Sequence, residues 1–195
     1  MMKQDWKPGT MIYPLPAALI SCGSNPEEQN IFTVSWLGTI CSDPPMCYIS
    51  VRPSRYSHDI IKRNGEFVIN LTTEELARAT DWCGVRSGRD YNKFLEMKLT
   101  PGKATIVHAP VIEESPVCIE CRVKEVIPLG SHDMFIADVV NVRADEQFLD
   151  SETGRFDMQR AGLLAYSHGH YYALGKKIGK FGWSVQKNRK KKKKE

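Results

Sequence analysis

The chain has 195 residues, 42% hydrophobic and 26% charged, a composition that suits one domain burying a real core. No run approaches the ~20 apolar residues that span a membrane, and Met1 to Trp6 lack the apolar stretch of a signal peptide, so a cytoplasmic protein with no membrane partner is expected. The net charge of +4 does not mark a nucleic-acid binder: Arg189 and Lys190 to Lys194, less Glu195, carry +5 and leave −1 for everything before them, so residues 188–195 read as a disordered basic tail.

In chain order, Ala17 to Cys22 is an apolar strand ended by Gly23-Ser-Asn-Pro26. Asn30 to Gly38 alternates and is β-branched, Ser42-Asp-Pro-Pro45 breaks it, and Met46 to Val51 is the next strand. A helix is predicted over 54–63, with Ser57 as N-cap, Ile60 and Ile61 facing inward, and Asn64-Gly65 closing it. Glu66 to Asn70 follows as a buried strand, and Thr73 then caps a short helix over 74–80. Two long strands, Val117 to Ile127 and Met134 to Val142, meet at the turn Leu129-Gly-Ser-His-Asp133 and should pair antiparallel. Without an internal repeat or linker, residues 1–187 are expected to form a single mainly β domain, a closed or partly closed antiparallel barrel with short peripheral helices.

The six cysteines should be reduced in the cytoplasm. Cys118 and Cys121 make the one CxxC, but an offset of three on a strand sends the thiols to opposite faces, so both read as packing residues and no metal site is expected. GxSxG, Walker-type and HExxH motifs are absent. His168-Gly-His170 places two imidazoles on one strand face with no carboxylate beside them, and they read as polar or ligand-facing.

Two segments carry other chemistry. Ser35 to Pro45 packs Gly38, Thr39, Cys41 and Ser42 onto a strand-to-turn transition whose N–H groups and hydroxyls can address a flat heterocycle; on composition alone it is a plain β-turn. Val51 to Ser57 brings Arg52, Ser54, Arg55 and Ser57 to a helix start, which suits a phosphate monoester, the alternative being a cap with solvated arginines.

Taken together, Thr33-Val-Ser-Trp-Leu-Gly-Thr-Ile-Cys-Ser-Asp-Pro-Pro45, Ile49 to Ser57, Gly65 to Asn70, Asp81 to Phe94, Leu129-Gly-Ser-His132 and His168 to Gly175 resemble the flavin reductase family, in its flavoredoxin-like branch. The resemblance runs over about residues 10 to 187. It implies a split β-barrel, Greek-key-like and antiparallel, that binds FMN near a homodimer interface. By the same resemblance Thr39, Ile40, Cys41 and Ser42 lie beside the isoalloxazine, with Trp36 flanking it. Arg52, Ser54, Arg55 and Ser57 take the phosphate, and Lys93 serves the phosphate or the electron-rich edge of the ring. Leu37, where a small polar residue is expected, and Asn92, where an acidic one is, depart from the pattern.

The implied function is an FMN-dependent oxidoreductase that takes hydride from NAD(P)H and passes electrons to free flavin, a ferric complex or a redox protein. His132 is the candidate for contacting nicotinamide or the partner subunit's flavin, its alternative being a turn histidine bonded to backbone. Two other functions are carried beside it: a flavoredoxin-type electron carrier reduced by another protein, and a non-catalytic flavin-binding or nucleic-acid-binding module.

Overall fold

Alternation and turn chemistry become twelve strands and three short α-helices among residues 1–186, the part of the chain that the computed structural model describes. The basic tail expected at 188–195, and Lys187 before it, lie outside the described residues. The elements are β1 (Leu15–Pro16), β2 (Ala18–Cys22), β3 (Asn30–Val34), β4 (Leu37–Ser42), β5 (Pro45–Val51), α1 (Tyr56–Asn64), β6 (Glu66–Leu71), α2 (Ala77–Val85), α3 (Lys93–Met97), β7 (Pro101–Gly102), β8 (Val111–Ile112), β9 (Val117–Pro128), β10 (Asp133–Ala144), β11 (Leu164–Ser167) and β12 (His170–Ala173).

Seven strands form one antiparallel sheet in the order β3-β2-β6-β9-β10-β5-β4. Its two end strands, β3 and β4, are joined by Ser35 and Trp36 alone. Three peptide steps reach at most about 11 Å, so the sheet has to curl until its ends meet. Register shifts between Thr39 and Cys41 on β4, and at two points along β9 and β10, supply local twist for that curl. Inside lie the alternate residues of each strand: Ala18, Ile20 and Cys22, Phe32 and Val34, Ile49 and Val51, Phe67 and Ile69, Phe135 and Ala137.

The outer face is covered too, which is why β2 reads as an unbroken apolar run. Leu19 and Ile31 point outward under Leu76, Ala79 and Cys83 near and within α2 and under Phe94 of α3. Val68 and Cys118 point outward under Ala104, Val107 and Ala109. Cys121 faces the interior, so the CxxC does divide between two faces.

The strap over 104–112 is held by two buried carboxylates. Glu120, with no exposed surface, accepts from the N–H groups of Thr105 (2.9 Å), Ile106 (2.6 Å) and Val107 (3.1 Å) and from Asn141 Nδ2 (2.8 Å). Glu66, beside it on β6, accepts from His108 N (2.7 Å) and Ala109 N (3.0 Å). Burial pushes the Glu120 carboxyl up, but the Asn141 amide and the three N–H donors outweigh it and hold its pKa below the usual range.

Several local expectations are corrected. The strand read as Asn30 to Gly38 breaks at Ser35–Trp36, where the chain passes from one end of the sheet to the other. Helix α1 is flanked by Arg55, not capped by Ser57; the buried Ser57 hydroxyl accepts from Asn30 Nδ2 at 2.7 Å instead. Gly65 closes α1 in the left-handed region at φ 69°, as Asn64-Gly65 implied. Helix α2 spans Ala77–Val85 rather than 74–80, because a turn held by Thr73 precedes it and Ala79 and Cys83 are the residues that meet the core. His168 (φ 50°) and Gly169 (φ 87°) form the tight turn between β11 and β12, so His168 and His170 do not share a strand face. Strands β1, β11 and β12 make a separate three-stranded sheet.

Candidate functional site

Where β3 and β5 run out of the barrel beside the start of α1, two cavities share Phe32, Arg52 and Arg55 and so form one two-lobed cleft. The first lobe, about 260 Å³, is aromatic, with Trp36, His132, Tyr13 and Tyr166 among its walls. Trp36 comes from the β3–β4 link and His132 from the β9–β10 turn, and their rings meet at 4.6 Å between centroids, tilted by 49°. Tyr13 packs edge-on against Tyr166 of β11 at 6.2 Å, so the small sheet closes this lobe from the side. Ser131 Oγ lies 2.9 Å from His132 Nδ1, which leaves Nε2 as the free nitrogen. Burial, then Arg52 and Arg55, hold the His132 pKa below its ordinary value, so its neutral form is favoured.

The second lobe, about 280 Å³, is cationic. Arg52, Arg55, Arg86, Arg89 and Lys93 line it with Ser54, Ser57 and Ser87, and no carboxylate is among its lining residues. None of the five cations is in an ion pair among the described residues. The floor is buried: Lys93 is 3% exposed and Ser57 1%. Lys93 Nζ donates to Cys83 O at 2.8 Å, and its other N–H bonds have no partner among the described protein groups. Burial, the largest influence, brings the Lys93 pKa down to about 8, with Arg55 pushing the same way. Asp59 acts on Arg89 from outside the lobe, but like charges gathered with no ion pair around a buried amine are costly to assemble unless an anion joins them.

Gly88 fixes how the rim meets the floor. A Cβ there would lie 2.3 Å from Asn30 Oδ1 and 2.6 Å from Tyr56 Cδ1, so only glycine lets the 86–89 turn press against the wall of the lobe. Behind the cleft, buried His58 of α1 has Nε2 2.9 Å from Asp133 Oδ2 and Nδ1 3.0 Å from Asp59 Oδ1. It ties the helix that presents Arg55 to the strand that begins beside His132.

Of the residues expected from the sequence, Trp36, Arg52, Ser54, Arg55, Ser57, Lys93 and His132 all line this cleft. Thr39, Ile40, Cys41 and Ser42 do not: they lie on β4, largely exposed, and line neither lobe. Arg86, Ser87 and Arg89 lie within Asp81 to Phe94, which carries the resemblance, but the sequence alone assigns them no role; their signal is two arginines around Ser-Gly directly after a helix. Tyr13 and Tyr166 had no local signal. Leu37, which departs from the expected pattern, is buried inside the barrel, and Asn92 caps α3 by accepting from Leu95 N at 3.2 Å.

Comparisons with known proteins bear on the family and the fold. The family model described as the flavin reductase like domain matches residues 10–175. Flavoredoxin of Desulfovibrio vulgaris (Miyazaki F) superposes with a TM-score of 0.87 at 29% identity, over 95% of this chain and 100% of that one. The FMN-binding protein from Thermus thermophilus, solved with bound 1-cyclohex-2-enone, gives 0.76 at 26% identity, over 92% and 98%. An uncharacterized protein of Archaeoglobus fulgidus is 32% identical over 141 residues, 72% of this chain and 78% of that protein.

Proposed function

As the chain belongs to the flavin reductase like domain family, we propose that it binds FMN without a covalent link in the two-lobed cleft and works as an FMN-dependent oxidoreductase, taking hydride from NAD(P)H. A flavin-related redox role is what family membership supports; FMN as the particular flavin and NAD(P)H as the donor are our reading. One observation carries it: an aromatic lobe and a cation-only lobe share a wall, which suits a flat ring joined to a phosphate. The two lobes together fall within the size range of cofactor sites.

The chemistry a flavin supplies when bound is reversible acceptance of a hydride on its ring. The chain's residues do the rest. Trp36 and Tyr13 offer flat apolar faces to a ring and keep water from it. Arg52 and Arg55 stand where the lobes join and offset negative charge that develops on a reduced ring. Arg52, Ser54, Arg55, Ser57 and Lys93 take the phosphate, with Lys93 giving it a buried N–H donor. His132, held neutral, presents Nε2 to a nicotinamide amide at the open side of the aromatic lobe.

The reading includes a homodimer in the cytoplasm. Both terminal arms expose large apolar residues, Ile12 at 84%, Ile178 at 95% and Phe181 at 103%, which a second subunit would cover. Thr39, Ile40, Cys41 and Ser42 enter this reading through that dimer, as residues brought to the partner's flavin rather than to their own. A second reading, favoured by the likeness to flavoredoxin, is an electron carrier reduced by another protein and slow with nicotinamide.

The absorption spectrum of the purified protein, with mass identification of the released chromophore, tests the cofactor. Anaerobic mixing with NADH and NADPH then separates the readings: rapid bleaching supports the reductase, and a flavin that stays oxidised supports the carrier. Light scattering that gives a monomer at micromolar concentration with flavin bound would count against the dimer.

A further inference from the structure

The phosphate site just proposed does not use all the charge that faces its lobe. Arg52, Arg55 and Lys93 already supply three cations to a phosphate monoester, which brings about two negative charges. Arg86 and Arg89 remain; no carboxylate lines the lobe, and exposed Asp59, outside it, acts on Arg89 without an ion pair. They differ in depth as well: Lys93 is buried at the floor, whereas both arginines are exposed at the rim. An anion held at the floor leaves them unspent.

Exposed as they are, both side chains are restrained by neighbours. The Arg89 guanidinium lies 5.6 Å from the centre of the Tyr56 ring and donates to Ser54 O at 3.2 Å. The Arg86 guanidinium lies 5.8 Å from the centre of the Tyr91 ring. Aromatic faces hold both planes in place, while most of their N–H donors stay free. Ser87 Oγ, which accepts from Arg89 N at 3.1 Å, and Gly88, which admits no side chain, fix the turn that carries the pair.

We propose that Arg86 and Arg89 form a second phosphoryl subsite at the rim of the cleft, one that takes the diphosphate of a dinucleotide while the floor holds the flavin phosphate. This rests on the flavin reading above. A diphosphate diester carries two negative charges and presents oxygens to two guanidinium forks, which a single monoester already satisfied at the floor does not need. The diphosphate has two chemical sources: a dinucleotide electron donor lying beside the flavin, or the flavin itself in its dinucleotide form.

The experiment uses the full chain and the double variant Arg86→Gln/Arg89→Gln, with FMN, FAD and ADP as probes followed by fluorescence and calorimetry. If the donor supplies the diphosphate, ADP binds the FMN-loaded wild type one per chain without releasing FMN. The variant then loses at least tenfold in ADP affinity and less than threefold in FMN affinity. If the flavin supplies it, FAD binds wild type at least tenfold more tightly than FMN, and the variant abolishes that difference. The proposal is overturned if ADP displaces FMN mole for mole, if FMN affinity falls in the variant as far as ADP or FAD affinity does, or if wild type shows neither ADP binding nor a preference for FAD. Failure of the wild type to bind any flavin would instead strike the flavin reading. ADP titrated onto the flavin-free protein and the variant then still tests the rim, and equal affinity for both overturns the subsite.

Discussion

The strap over 104–112 and the cationic lobe of the cleft both gather charge against the barrel, and they do so in opposite ways. Glu120 is wholly buried, yet its two carboxylate oxygens meet three backbone N–H groups and one amide. In the lobe, five cations make no ion pair among the described residues, only Asp59 acting on Arg89 from outside, and the buried one, Lys93, has a single carbonyl. A charge answered by the chain's own backbone is a structural fastener. Charges of one sign left unanswered are a receptor, because the free energy that would satisfy them has been left for a ligand.

The largest expected effect breaks the fastener. Glu120→Ala orphans three N–H groups and the Asn141 amide at once, and should cost about 3–5 kcal/mol of folding stability, read as a lower denaturant midpoint. Because the folded pKa of Glu120 lies below its ordinary value of 4.5, its contribution is complete above the unfolded pKa and is lost as pH falls below it. Acid should therefore loosen the strap in wild type, and the variant should lack that part of the acid transition.

Next comes the receptor. Arg55→Gln should leave the fold intact and weaken FMN by about 1.5–3 kcal/mol, roughly one to two decades, with a smaller loss for riboflavin, which has no phosphate. Equal losses for both flavins would remove Arg55 from the phosphate site.

The smallest effect is the sharpest contrast. Lys93 has a folded pKa of about 8 against an ordinary 10.5. Below about pH 8 the cost of its buried charge is present in full; as pH rises toward 10.5 the folded form is neutral while the unfolded form still binds a proton, so stability should rise with pH. Lys93→Met should abolish that rise and, because it removes a buried charge, should leave stability at pH 7 unchanged or higher. In wild type, FMN affinity should fall as pH rises through about 8, since an anion favours the charged amine. A flat affinity profile from pH 7 to 9 would take Lys93 out of the phosphate site.

The parts of this arrangement that could be read from the sequence are those that one strand or one turn carries alone. The buried strand over 66–70 and the antiparallel pair around the 129–133 turn were legible, and two arginines with two serines before a helix marked half of the cationic lobe. What stayed hidden is what packing assembles. Arg86 and Arg89 reach the lobe because α2 lies over β3, some 50 residues earlier in the chain, and Tyr13 and Tyr166 reach the other lobe through a separate sheet. The His58–Asp133 pair spans 75 positions. Conversely, Thr39 to Ser42 had suitable local chemistry, but alternation cannot say on which side of a closed barrel an outward residue will stand.

The two-residue link between β3 and β4 ties recognition to the folding reaction itself. Phe32 to Trp36 build the inner wall of the aromatic lobe, and the same residues carry the chain from one end of the sheet to the other. While the sheet is open the wall does not exist, so closure of the barrel is a precondition of binding competence. A ligand that selects the closed form draws the whole folding equilibrium toward it by mass action, and cofactor supply thereby becomes a determinant of how much folded protein a cell retains.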